Sequence, residues 1–192
     1  AKLKFAEKWA LEHGTLNIIE VKAQFPNPNL GYVKIGARLR EGADGNEVFE
    51  LDRFVEKPTL ETAKKYLSSY KYLWNTGIYV WKLETILHAY KTHAPKIYRT
   101  VVSQGGAYED CPKISLDYAV MEKIPPSSVN IIPADLGWSD IGNWAALSDE
   151  LTSKKEGNFV QGDHLGIETE GSVIYGVRGK LIVTSGLKNM VV

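Results

Sequence analysis

FVEKP (Phe54–Pro58) runs two apolar residues into a glutamate, a lysine and a proline. Side chains alternate between the two faces of a strand, so Glu56 and Lys57 cannot share one orientation while the strand continues. Pro58 donates no backbone N–H and closes the strand there. Both charges then stand at a strand's C-terminal end, and that edge is where ligands of open α/β sheets bind. Taken alone, the segment also reads as a strand end with two solvated charges. Its neighbours bear on the choice.

Upstream, YVKIGARLR alternates as a strand, EGADGNE carries the hairpin signal Asp44-Gly45, and VFELDRFVE returns as the partner. LNIIEV (Leu16–Val21) is an apolar run of strand length. Before it, Leu3, Phe5, Ala6, Trp9 and Ala10 share a helical face, with Gly14 as C-cap. Downstream, Thr59 is placed to cap a helix bearing Leu60, Ala63 and Leu67. YLWNTGIYVW (Tyr72–Trp81) is strand-like but interrupted at Asn75-Thr76-Gly77. LETILHAYKTHAP is a helix ending near Pro95, SLDYAVMEK (Ser115–Lys123) a short helix capped by Ser115, and SVNIIPA a strand. GWSDIGNW is a loop running into a last helix over NWAALSDEL. Strands alternating with helices predict an α/β fold.

The pattern changes near SKKEGN (Ser153–Asn158). Beyond it, LGIE, SVIYGV, KLIVTS and NMVV recur between glycines and polar residues, which predicts an all-β extension of the solenoid kind. The expected division is an α/β domain over 1–152 and a β domain over 153–192. The first residues read as mid-helix, and Val191-Val192 reads as an open strand. The sequence is therefore expected to continue at both ends, and an open edge favours self-association.

Lys plus Arg and Asp plus Glu are 23 each among 192 residues, so the net charge is zero. That excludes the basic face of a nucleic-acid platform. Cys111 is the one cysteine, which leaves no internal disulfide and no cysteine metal cage, and implies a reducing, cytoplasmic setting. No stretch reaches the roughly 20 apolar residues of a membrane span, so no membrane partner is expected. His88 and His93 are not spaced to share a helical face, Gly105-Gly106 is too short for a phosphate loop, and no Ser-His-Asp arrangement is visible.

Four places hold polar groups that packing explains poorly. Gly31 lets a backbone approach a ligand closely, or simply lets a turn form. Lys57 suits phosphate oxygens, and Glu56 accepts from sugar hydroxyls. Asn75 donates and accepts at once, which suits vicinal hydroxyls; alternatively Asn75 and Gly77 mark a β-bulge. Asp140 is either a helix cap or a carboxylate for Mg2+, which takes one or two carboxylates plus substrate phosphates.

In order, GYVKIG, RFVEKP, LWNTGIYVW, SLDYAVMEK, GWSDIGNWAAL and GLKNMVV resemble the mannose-1-phosphate guanylyltransferase (GDP-mannose pyrophosphorylase) family of sugar nucleotidyltransferases. The resemblance implies a Rossmann-like nucleotide-diphospho-sugar transferase α/β domain, here its sugar-binding half, followed by the start of a left-handed β-helix. It implies GDP-mannose and pyrophosphate formation from GTP and mannose 1-phosphate with Mg2+, in a homo-oligomer, a dimer through the β-helix. Carried onto this chain, Lys57 and Asp140 are catalytic, and Asp140 holds the metal. Gly31, Tyr32, Glu56, Lys57, Asn75 and Gly77 bind substrate. The family's glycine-rich nucleotide loop with its arginine, and its first metal aspartate, are not in this sequence. This chain by itself is therefore expected to be inactive. Gly31-Tyr32-Val33-Lys34 also departs from the family's Gly-Tyr-Gly-Tyr. The alternatives are another sugar 1-phosphate and nucleotide pair, or a non-catalytic sugar-nucleotide-binding paralogue.

Overall fold

The computed structural model describes residues 1–103, 108–142, 144–152 and 157–192. Gly105-Gly106 and most of the expected boundary stretch Ser153–Asn158 lie outside the described residues. Contacts group the chain into two units, Ala1–Trp138 and Ser139–Val192.

In the first unit, α1 (Lys2–His13) buries Ala6 and Ala10 and ends at Gly14, whose φ of 69° makes the left-handed cap. β1 (Leu16–Lys22) is buried at every position but its last, so it reads as an apolar run rather than an alternation. β2 (Tyr32–Glu41) and β3 (Glu47–Val55) pair antiparallel around Gly45, which has a φ of 71°. Thr59 caps α2 (Leu60–Ser69), its hydroxyl accepting the Thr62 N–H at 3.2 Å. β4 (Tyr72–Val80), α3 (Leu83–His93) and the short α4 (Pro95–Tyr98) follow. A π-helical turn at Asp117–Met121 leads towards β5 (Val129–Pro133). That turn starts from Leu116 without a side-chain cap, so Ser115 is not the expected cap; its carbonyl accepts from the Ala119 N–H instead.

The strands close on themselves in the order β1–β4–β2–β3–β5. β1 lies between antiparallel β4 and parallel β5. Leu16, Ile18, Val33, Phe54, Val120 and Ile131 fill one core cluster. Tyr32, Ala63 and Trp74 form another beneath α2. Each large apolar side chain of these clusters contributes about 1.5–3 kcal/mol on burial. The ladder between β1 and β4 is interrupted: Ile19 faces Ile78, but Glu20 faces Asn75. Thr76 and Gly77 bulge out between them, with Gly77 at φ 72°.

In the second unit, α5 (Trp144–Thr152) precedes β6 (Phe159–Gln161), β7 (Asp163–Ile167), β8 (Val173–Tyr175) and β9 (Leu181–Ser185). β6 pairs with β8 and β7 with β9, both parallel. Parallel bridges Glu170–Lys188 and Val173–Val191 continue the pattern. Asn158 ties successive turns, donating to the Thr169 carbonyl at 2.6 Å and accepting the Ser172 N–H at 2.9 Å. The residues beyond the expected boundary are thus β-structured where described. α5 starts at Trp144, so Asp140 is not adjacent to the helix and is not its cap. No helix among the described residues is long and apolar enough to cross a membrane.

Candidate functional site: a carboxylate and an amide around a glycine gap

β3 ends at Val55, and the chain then turns through Lys57 at a φ of 47°. A left-handed backbone costs a non-glycine residue roughly 1–2 kcal/mol. Here it folds the lysine back, so that its Nζ donates to Glu56 Oε1 at 2.6 Å. The Glu56 side chain is 7% exposed and that of Lys57 56%. The bond to Glu56, with the negative charges of Glu56 and Asp117 behind it, raises the pKa of Lys57 and keeps it a cation. The Glu56 N–H donates to Glu122 Oε1 at 3.1 Å. Glu56 Oε2 is buried and has no partner. A buried carboxylate oxygen left so is costly unless a ligand satisfies it.

That oxygen faces Gly31. A Cβ on Gly31 would stand 2.4 Å from Glu56 Oε2, 3.1 Å from Asn75 Cβ and 3.3 Å from Asn75 Nδ2. The Gly31 carbonyl accepts the Asn75 N–H at 2.8 Å. A side chain here would have to push the Glu56 carboxylate aside and press on Asn75. Asn75 belongs to the bulge and also presents an amide to the gap. Its Oδ1 accepts the Gly77 N–H at 3.0 Å, and its Nδ2 donates to Asp117 Oδ1 at 3.3 Å and Tyr79 Oη at 3.4 Å. The Tyr79 hydroxyl donates to the same Asp117 oxygen at 2.5 Å. Burial and then that bond raise the Tyr79 pKa well above the ordinary tyrosine range, so the phenol stays protonated.

The fold therefore brings Gly31, Glu56, Lys57, Asn75 and Gly77 together. Tyr32 is different: its side chain is fully buried, and its hydroxyl bonds the Asn27 N–H and carbonyl. It packs on Tyr66 in the core, which leaves its backbone to face a ligand. Asp140 is exposed and belongs to the second unit. Sequence reasoning passed over Asp117, Tyr79, Glu122 and Glu20. The signal for Glu20 was a lone carboxylate inside LNIIEV. It is fully buried: Oε2 accepts the Thr76 N–H at 2.9 Å and Oε1 has no partner. Burial raises its pKa well above the carboxylate range; the Thr76 N–H opposes the shift, and the Asp117 charge adds to it.

A cavity of about 600 Å³ beside Lys22, Gln24, Lys64 and Ser68 contains none of these groups. The unsatisfied oxygen and the glycine gap, rather than volume, locate the site. No group of three or more metal-ligating side chains exists among the described residues. Asp140 is a single exposed carboxylate and does not by itself make a protein cage for a cation.

A model of the nucleotidyl transferase family matches residues 2–156. The chain is 33% identical to a mannose-1-phosphate guanylyltransferase of Escherichia coli (strain K12) over 195 residues, covering 94% of this chain and 40% of that protein. It is 34% identical to the xanthan biosynthesis protein XanB of Xanthomonas campestris pv. campestris (strain B100), covering 95% and 40%. It superposes on a crystal structure described as a mannose-1-phosphate geranyltransferase from Thermus thermophilus with a TM-score of 0.77 and 30% identity, over 98% of this chain and 56% of that one. The chain thus spans about 40% of the length of the curated relatives it matches.

Proposed function

We propose, from the premise that this chain belongs to the nucleotidyl transferase family, that it carries the sugar 1-phosphate site of a mannose-1-phosphate guanylyltransferase. The reaction joins mannose 1-phosphate to GTP and gives GDP-mannose and pyrophosphate. The single observation behind the reading is Glu56 Oε2, buried and unpartnered across a gap that only glycine leaves open. Sugar hydroxyls donate to that oxygen and bond the Asn75 amide, with the Gly31 backbone alongside. Lys57 meets the sugar phosphate from its exposed position. An attacking phosphate oxygen is already anionic, so no strong general base is needed. The work is positioning two anions and offsetting their charge. Asp140 is the chain's own ligand for Mg2+, which when bound supplies charge neutralisation on the phosphates.

The second unit, with its parallel pairs and bridges, is read as the first turns of a left-handed β-helix, with the domain boundary near 152–153. Pairing of such units into a dimer, and a cytoplasmic setting, belong to the same proposal. The test uses the full natural chain with Mg2+. Pyrophosphate release is measured from GTP, ATP, UTP and dTTP with mannose or glucose 1-phosphate. Release chiefly from GTP with mannose 1-phosphate is expected. A different preferred pair would replace the substrate, and no release from any pair would refute the catalytic reading.

A further inference from the structure

The Asn75 amide has its two ends held by unlike groups. On one side Asp117, an acceptor when ionised, receives the amide nitrogen and the Tyr79 hydroxyl on one oxygen. On the other, the Gly77 N–H donates to the amide oxygen. Turning the amide over would set its oxygen against the carboxylate and its N–H2 against a backbone donor, losing both bonds. Asp117 comes from the π-helical turn, 42 residues from Asn75, so the fold holds the nitrogen end of the amide while Gly77 of the bulge holds its oxygen end.

We propose that Asp117 is a positioning residue: through its bond to Asn75, with Tyr79 beside it, it fixes which end of the Asn75 amide a ligand in the glycine gap meets. This rests on the sugar-site reading above and deepens it. Asn75 selects hydroxyl geometry only while the amide cannot rotate. Lys57 takes most of the support for its charge from Glu56, 2.6 Å away, and Asp117 adds a smaller, more distant contribution.

Asp117→Asn keeps the shape but offers Asn75 either a donor or an acceptor, so only the Gly77 N–H still distinguishes the two amide orientations. In the full natural chain this variant is expected to raise the KM for mannose 1-phosphate about tenfold, the effect of one lost charge-assisted hydrogen bond. The KM for GTP and the melting temperature should hold. Tyr79→Phe should give a smaller rise in the same constant. In an Asn75→Ala background, Asp117→Asn should add less than about twofold, since residues acting through one another are non-additive. A full effect persisting in that background, an equal rise in the KM for GTP, or no rise at all would overturn the proposal. A second readout does not need turnover. The Asn75 side-chain amide should give one resolved pair of NMR signals in the wild type and a shifted or exchange-broadened pair in Asp117→Asn. Unchanged signals would refute the inference. A wild type silent with every substrate pair would refute only the functional reading.

Discussion

Gly31→Ala isolates the glycine gap. The new methyl would stand 2.4 Å from Glu56 Oε2 and 3.1 Å from Asn75 Cβ. The carboxylate is the far end of a flexible side chain and gives way. Asn75 Cβ sits on a strand whose N–H bonds the Gly31 carbonyl, and must yield by tenths of an ångström. The folding cost therefore falls at the low end of overpacking, about 1 kcal/mol. For a unit of this size that lowers the melting temperature by roughly 2–4 °C. The cost to binding is larger. A displaced carboxylate loses its hydrogen bonds to ligand hydroxyls, worth about 1.5–3 kcal/mol. That corresponds to roughly 10–150-fold in affinity. The assay pairs thermal melting with the KM for mannose 1-phosphate in the full natural chain. In a Glu56→Ala background the methyl has no carboxylate to displace, so Gly31→Ala should then add little. An unchanged KM in the single variant would refute the argument. So would a melting temperature lowered by more than about 10 °C, which would make the gap a folding requirement instead.

Lys57→Ala should raise the KM for mannose 1-phosphate and weaken its dependence on salt, read by steady-state kinetics at two ionic strengths. Asp140→Asn should lower turnover by more than about a hundredfold while melting as the wild type does, because an exposed side chain outside the helix start bears no fold. Glu20→Gln should flatten the pH dependence of stability. Because burial raises the folded pKa of Glu20, the native state binds the proton more tightly than the unfolded one. Wild-type stability then falls as pH rises from the unfolded carboxylate value, about 4.3, towards the folded one, and the glutamine variant lacks this component. Melting curves from pH 4 to 8 with parallel slopes would contradict this. Thr59→Ala should cost about 1 kcal/mol of stability by removing the cap of α2, with no change in KM.

Local rules made much of the fold legible. Gly14, Asp44-Gly45 and Thr59 each act within a few residues of themselves, and each does so in the structure. The strand order was not legible, because β1 pairs with β5 across more than a hundred residues of sequence and no local pattern encodes that neighbour. The same limit applies to the site. Gly31, Glu56 and Asn75 announce themselves by being odd in a strand context. Asp117 and Tyr79 look like an ordinary helix start and a strand aromatic until the fold places them on Asn75. Tyr32 entered only through the family resemblance, and no local pattern showed that its hydroxyl bonds the Asn27 backbone. Glu20 was hidden by its apolar neighbours.

The left-handed turn at Lys57 has a consequence for ligand choice. It clamps the ammonium onto its sequence neighbour's carboxylate, so that in the free protein cation and anion occupy each other. On the proposed sugar 1-phosphate reading, engaging a phosphate would be an exchange of partners. As the phosphate drew the lysine away, Glu56 Oε1 would be released to join Oε2 as an acceptor for hydroxyls. An unphosphorylated sugar would offer nothing to the lysine and would find one of the two oxygens already taken. The two ends of the ligand would then be read jointly, and the discrimination between a sugar and its 1-phosphate would exceed what the lysine alone gives.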